Sequence, residues 1–100
     1  MNKAVRLQPF EAIELLGKSS LWECVAERGG VLRRTVMFAD FSDAFAFMTR
    51  VALLAERRNH HPEWFNLFNR VDITLTTHEA GGISARDIEM AHAIDELVPG

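Results

Sequence analysis

Residues 41 to 58 carry the feature that most limits what this chain can fold into. Ala44, Phe45, Met48, Val51, Ala52 and Ala55 recur at spacings of three and four, and Phe47 and Leu54 widen the stripe. Such recurrence gathers side chains on one face of an α-helix. Asp40 or Ser42 can cap its start. A stripe this wide suits both a core and a partner helix.

The flanking segments supply what that helix covers. Residues 71 to 77 alternate Val71, Ile73 and Leu75 with Asp72, Thr74 and Thr76, the pattern of a strand with one face in solvent. Residues 63 to 68 precede them as a second strand, and Asn69-Arg70 suits the turn because asparagine tolerates left-handed φ. Upstream, Leu21–Arg28 and Val31–Phe38 read as another strand pair. Gly29-Gly30 is a two-residue hairpin signal between them. A short helix is expected over residues 9 to 17, with Pro9 at its start, Gly17 at its stop, and Phe10, Ile13 and Leu15 or Leu16 as its apolar stripe. A last helix starts at Ser84. Ser84-x-x-Asp87 resembles a capping box, Ile83 and Ile88 sit where a hydrophobic staple would, and Ile88, Ala91, Ile94 and Leu97 form its apolar face before Pro99-Gly100. The order α-β-β-α-β-β-α predicts an α+β fold, a four-stranded antiparallel sheet with three helices packed on one face.

Length and composition narrow the class. One hundred residues, 48% of them hydrophobic and 25% charged, read as a single domain over 1–100 with one modest core. Small domains gain stability by association, so a homo-oligomer is expected. A net charge of −3 argues against nucleic-acid binding, which needs a basic face. Arg33–Arg34 and Arg57–Arg58 have acidic neighbours and read as solvated surface. The lone cysteine, Cys24, has no internal disulfide partner and lies in an apolar stretch, as a small buried hydrophobe would. The first ten residues hold no long apolar run, and no stretch approaches the roughly 20 residues of a membrane span. No signal peptide and no membrane partner are expected, and a cytoplasmic location is.

The chemistry lies in the histidines. His60 and His61 follow the long helix and precede Pro62, which disfavours helix for the residue before it. With Asn69 and Arg70 as the loop, Trp64 faces Leu75 and His61 faces His78, with Cβ atoms about 5 Å apart. A slip of one residue would put the two on opposite faces. Imidazoles gain and lose protons near neutral pH, so two in one pocket can divide the roles of acid and base. Glu56, one turn before His60, can orient it. Three histidines can also hold zinc, although adjacent histidines diverge in an extended segment. Any one of these histidines alone is most simply a polar residue beside a turn; three placed together point to a site. His92, on the last helix, lies apart and reads as a surface or boundary residue. Asp87 reads as a helix cap. Trp64, Phe65 and Phe68 read as core, and one of them can wall a flat heteroaromatic ligand.

The run from Glu56 through Asn59-His60-His61-Pro62-Glu63-Trp64 to Thr76-Thr77-His78-Glu79 closely resembles the pterin-4a-carbinolamine dehydratases. The family pattern is an acidic residue, three residues, His-His-Pro, an aromatic, a later histidine and then an aspartate. Glu56, His60, His61, Pro62, Phe68, His78 and Asp87 occupy those places with matching spacing. The stretch from Asp40-Phe41 to Ala52 is also similar to family members.

The resemblance implies a lyase that dehydrates a 4a-hydroxytetrahydropterin to the quinonoid dihydropterin. Such an enzyme recycles the tetrahydrobiopterin-type cofactor of aromatic amino-acid hydroxylases. His60, His61, His78 and Glu56 are the implied catalytic set, with His61 and His78 the proton-transfer pair. Asn59, His60, His61, Trp64, Thr76, Thr77, His78 and Glu79 would line the pterin site, supported by Pro62 and Asp87. The pterin is the substrate, and no metal or other cofactor is implied. Homodimers or homotetramers are implied, with sheets joining edge to edge and long helices packing between dimers. Some members also serve as dimerisation cofactors of a homeodomain transcription factor, which leaves a binding module as the competing class. Many members have aspartate where this chain has Asn59, and asparagine hydrogen-bonds without carrying charge.

Overall fold

The expected elements all form, in the expected order. The computed structural model describes residues 4–99, so Gly100 lies outside the described residues. The elements are α1 (Pro9–Leu16), β1 (Glu23–Val25), β2 (Val31–Met37), α2 (Phe41–Arg58), β3 (Glu63–Leu67), β4 (Arg70–Leu75), a single 3₁₀ turn (His78–Ala80) and α3 (Ala85–Leu97). The four strands make one antiparallel sheet in the order β1-β2-β4-β3. This is the α+β architecture expected, with the helices on one face.

Side-chain alternation explains the layering. Leu32 and Val36 of β2 and Val71, Ile73 and Leu75 of β4 are buried under the helices. On the other face Thr35 donates to Asp72 (2.7 Å) and Arg33 donates to Thr74 (3.3 Å). From the helical layer come Ala44, Phe47, Val51, Leu54 and Ala55 of α2, and Ile88, Met90, Ala91 and Ile94 of α3. Asp40, and not Ser42, caps α2 by accepting from the Asp43 N–H. Among the described residues no helix is long and apolar enough to cross a membrane.

Several boundaries and faces differ from expectation. The first hairpin is not a two-residue turn. Val25 pairs with Val31, leaving residues 26 to 30 as the loop, and Arg28, Gly29 and Gly30 all take positive φ there. Of the stripe expected on α1 only Leu16 faces inward, beside Ala12, while Phe10, Ile13 and Leu15 are exposed. A two-turn helix meeting its neighbours along one narrow line needs only an i, i+4 pair to do so. On α2 the wide stripe splits, with Phe45 and Ala52 outside the buried set. Phe65 and Phe68 are exposed rather than core. Arg33 is a solvated residue paired with Glu27, but Arg34 points under the helices to Asp95, which also accepts from the Trp22 indole. Cys24 is half-buried, and that burial raises its thiol pKa.

Candidate active site

The site begins where α2 ends. Asn59 adopts left-handed φ and ψ (50°, 43°) and its N–H bonds back to Ala55 and Glu56. The next N–H, that of His60, also reaches the Ala55 carbonyl (3.1 Å). Bonding of this kind stops a helix and fixes the direction in which the chain leaves. Asparagine is one of the few residues with a side chain that visits this conformation readily. It sends His60 inward and leaves His61 exposed.

His60 is held by a buried carboxylate. Its Nε2 lies 2.6 Å from Oδ1 of Asp87, whose side chain is fully buried. Asp87 Oδ2 accepts from the Thr77 hydroxyl (2.7 Å) and from the Ser84 N–H (2.9 Å). Because the Thr77 hydroxyl donates to the carboxylate, Ser84 Oγ donates to Thr77 Oγ1 (2.7 Å), and it accepts in turn from the Arg86 N–H. A carboxylate has only acceptors, so His60 Nε2 carries the hydrogen in this bond. Nδ1 is then the nitrogen left to take a proton. Asp87 thus caps α3, as expected, and also anchors His60 and Thr77.

His61 is held differently. Its Nε2 lies 2.6 Å from Oε1 of Glu56, and both side chains are exposed. Glu56 therefore orients His61, not His60 as expected: His60 turns inward to Asp87. His78 opens the 3₁₀ turn after β4 and is exposed, and Glu79 beside it pairs with Arg86.

Asn59, His60, His61, Pro62, Thr76, Thr77, His78 and Glu79 line one open cavity of about 500 Å³, in the size class of small-molecule sites. Glu63, Thr74 and Arg86 also line it. Arg28 donates twice to Glu63 and holds that carboxyl below its ordinary range, with desolvation opposing and the nearby charges of Arg28 and His78 assisting.

His61 and His78 share the cavity, but not as a directly opposed pair. Leu67 pairs with Arg70 and Glu63 with Thr74, so the loop is Phe68-Asn69 rather than Asn69-Arg70. Asn66 explains the shift, because its amide donates to the carbonyls of both Phe68 and Arg70. Asn69 meanwhile is tied to Phe38 at the end of β2. A shift of two residues preserves the faces and moves only the partners. Both histidines lie beyond the last rung of the ladder. Trp64 does not line the cavity; it pairs with Ile73 and packs against the core. His92 is remote, contacting the Leu15 carbonyl. Among the described residues no three His, Cys, Asp or Glu side chains are grouped to hold a metal ion.

Three lining residues escaped sequence reasoning. Thr74 was legible as the solvent-facing alternate of β4 and Glu63 lies two residues after His61, whereas Arg86 gave no signal of its own, since only the tertiary fold brings it to the histidines.

Comparison with known proteins identifies the family. The family model described as Pterin 4 alpha carbinolamine dehydratase matches residues 5–97. A relative from Novosphingobium aromaticivorans that bears the family's name is 52% identical over 93 residues, which is 93% of this chain and 96% of the relative. Another, from Burkholderia pseudomallei, is 57% identical over 76 residues, covering 76% and 74%. The crystal structure of a transcriptional coactivator/pterin dehydratase from Brucella melitensis superposes with a TM-score of 0.86 at 44% identity, over 94% of this chain and 99% of that one. A pterin dehydratase-like RuBisCO assembly factor of the α-carboxysome shares the fold, with a TM-score of 0.69 at 22% identity. This chain belongs to the pterin-4a-carbinolamine dehydratase family of hydro-lyases.

Proposed function

We propose that the cavity removes water from a 4a-hydroxytetrahydropterin, with His60, His61 and His78 as its working groups. The observation that carries this reading is their convergence on one cavity although two lie after α2 and one after β4. In the reaction the C4a–O bond breaks and the N5–H proton departs as the C4a=N5 double bond forms. Hydroxide leaves poorly, so an acid must deliver a proton to the hydroxyl oxygen, and a base must accept the one from N5. Each positioned group of this kind contributes about 10²–10⁴-fold.

His61 and His78 are the proton-transfer pair. Glu56 sets the ring orientation of His61. His60, locked by Asp87, presents Nδ1 as a fixed acceptor for the substrate. Asn59, Thr76, Thr77 and Glu79 supply polar edges to the ring, and Arg86 holds Glu79 in place.

The family resemblance extends this proposal to recycling of the cofactor of an aromatic amino-acid hydroxylase. It also extends to homodimers or homotetramers. Exposed apolar residues support self-association: Phe41, Phe45 and Leu53 on α2, and Phe65 and Leu67 on the edge strand β3. The direct test generates the carbinolamine in situ and follows its decay by absorbance. The protein should accelerate the decay in proportion to its concentration. Decay at the spontaneous rate would overturn the proposal.

A further inference from the structure

We propose that Gly29 and Gly82 form a backbone clamp that positions His78, an inference that rests on the dehydratase reading of the cavity. The three histidines are held in different ways. Asp87 fixes the ring of His60 and Glu56 that of His61. Among the described residues no side chain hydrogen-bonds the His78 ring, so its place depends on the backbone that carries it.

That backbone is closed and then pressed against the first hairpin loop. Thr77 N–H donates to the Gly82 carbonyl (2.9 Å) and Gly82 N–H returns to Thr77 (3.3 Å), closing a loop with His78 at its head. Ala80 N–H to Thr77 and Gly81 N–H to His78 tighten it. Thr76 Oγ1 donates to the Gly30 carbonyl (2.9 Å), pinning the entering stalk. Leu7 N–H donates to the Ile83 carbonyl beyond the leaving stalk (2.7 Å).

The contact between the two loops tolerates no side chain. A Cβ on Gly82 would sit 2.3 Å from the Gly29 oxygen, and one on Gly29 would sit 1.9 Å from the Gly81 oxygen. Both obstacles are backbone atoms, so neither can swing aside as a flexible side chain would. Gly29 also needs its positive φ of 82°. Gly82 does not, so its requirement is steric. A methyl group there must push the two loops apart and carry His78 with them. Displacement of a catalytic group by about 1 Å can cost about 10²-fold in rate.

The test is a double-mutant cycle between Gly82→Ala and His78→Ala, read by dehydration kinetics, thermal unfolding and imidazole NMR. Gly82→Ala should fold, move the His78 ring signals while leaving those of His92, and lower kcat about tenfold with KM within about twofold. In the His78→Ala background it should change kcat by less than about twofold. Gly17→Ala has positive φ but nothing within 4 Å, and should keep the wild-type kcat. A full rate in Gly82→Ala, or a loss that adds to that of His78→Ala, would overturn the clamp. An unfolded Gly82→Ala chain would overturn it too, since the contact would then hold the fold and not the turn. A full rate in His78→Ala would instead sink the underlying reading of the site.

Discussion

His60 Nε2 and Asp87 Oδ1 lie 2.6 Å apart, joining the segment that leaves α2 to the first turn of α3. The carboxylate that caps α3 therefore also orients a histidine of the cavity. Removing it strands the donors of His60, Thr77 and Ser84 in a buried place. We expect Asp87→Ala to destabilise the chain by about 3 kcal/mol or more, because each buried donor left without its acceptor costs about 1–3 kcal/mol. Thr77→Val, which removes one neutral donor, should cost about 1–2 kcal/mol. Urea unfolding measures both, and equal losses for the two would show that Asp87 is only a cap.

The pair His61–Glu56 is exposed, so it should matter to rate and not to stability. Glu56→Gln should change the unfolding free energy by less than about 1 kcal/mol. It should lower kcat through loss of ring orientation, by less than His61→Ala does. Parallel unfolding and steady-state kinetics on the two variants check the ordering.

Asn59 is explained by its backbone. Asn59→Gly should leave stability within a few tenths of a kcal/mol, because glycine meets the same left-handed requirement. Asn59→Val should cost about 1–2 kcal/mol or more, since a β-branched residue is strained there. Thermal unfolding of the pair decides it, and equal melting temperatures would contradict the account.

Glu63 supplies a pH dependence whose sign can be worked out. The hydrogen bonds from Arg28 hold its pKa below the ordinary 4.5. A depressed carboxyl contributes stability that is fully present above the unfolded value and is lost as pH falls through the folded one. The stability difference between wild type and Glu63→Gln should therefore be flat above about pH 5 and shrink below pH 4.5. A difference that grows on acidification would contradict the ion pair. Partial exposure makes the effect small.

Element order and layering were legible because they rest on periodicity. The stripe of α2 and the alternation of β4 each have one arrangement that buries them. The failures lie where periodicity carries no information. The register of β3 on β4 goes with the Asn66 amide, which donates to the carbonyl of Phe68 in the turn and to that of Arg70 at the start of β4, a choice between two turns of similar chemistry. The first hairpin took a five-residue loop whose tight turn is Arg28-Gly29, closed by the Gly30 N–H on the Glu27 carbonyl, and Gly29 also meets the loop at Gly81 and Gly82, a contact no local pattern announces. At the site, the histidines and Asp87 were visible, but their pairing was not. Whether Glu56 meets His60 or His61 depends on one left-handed residue, Asn59. Arg86 reaches the cavity only through the packing of α3. Trp64 illustrates the converse, since its place in the ladder turns it to the core.

The central claim is that His61 and His78 transfer the protons. Carbinolamine dehydration should be measured with wild type, His61→Ala and His78→Ala at matched concentrations, after confirming that each variant unfolds cooperatively. We predict that each single variant loses about 10²-fold or more in kcat/KM, within the range for a positioned acid or base. Unchanged rates in both folded variants would contradict the account.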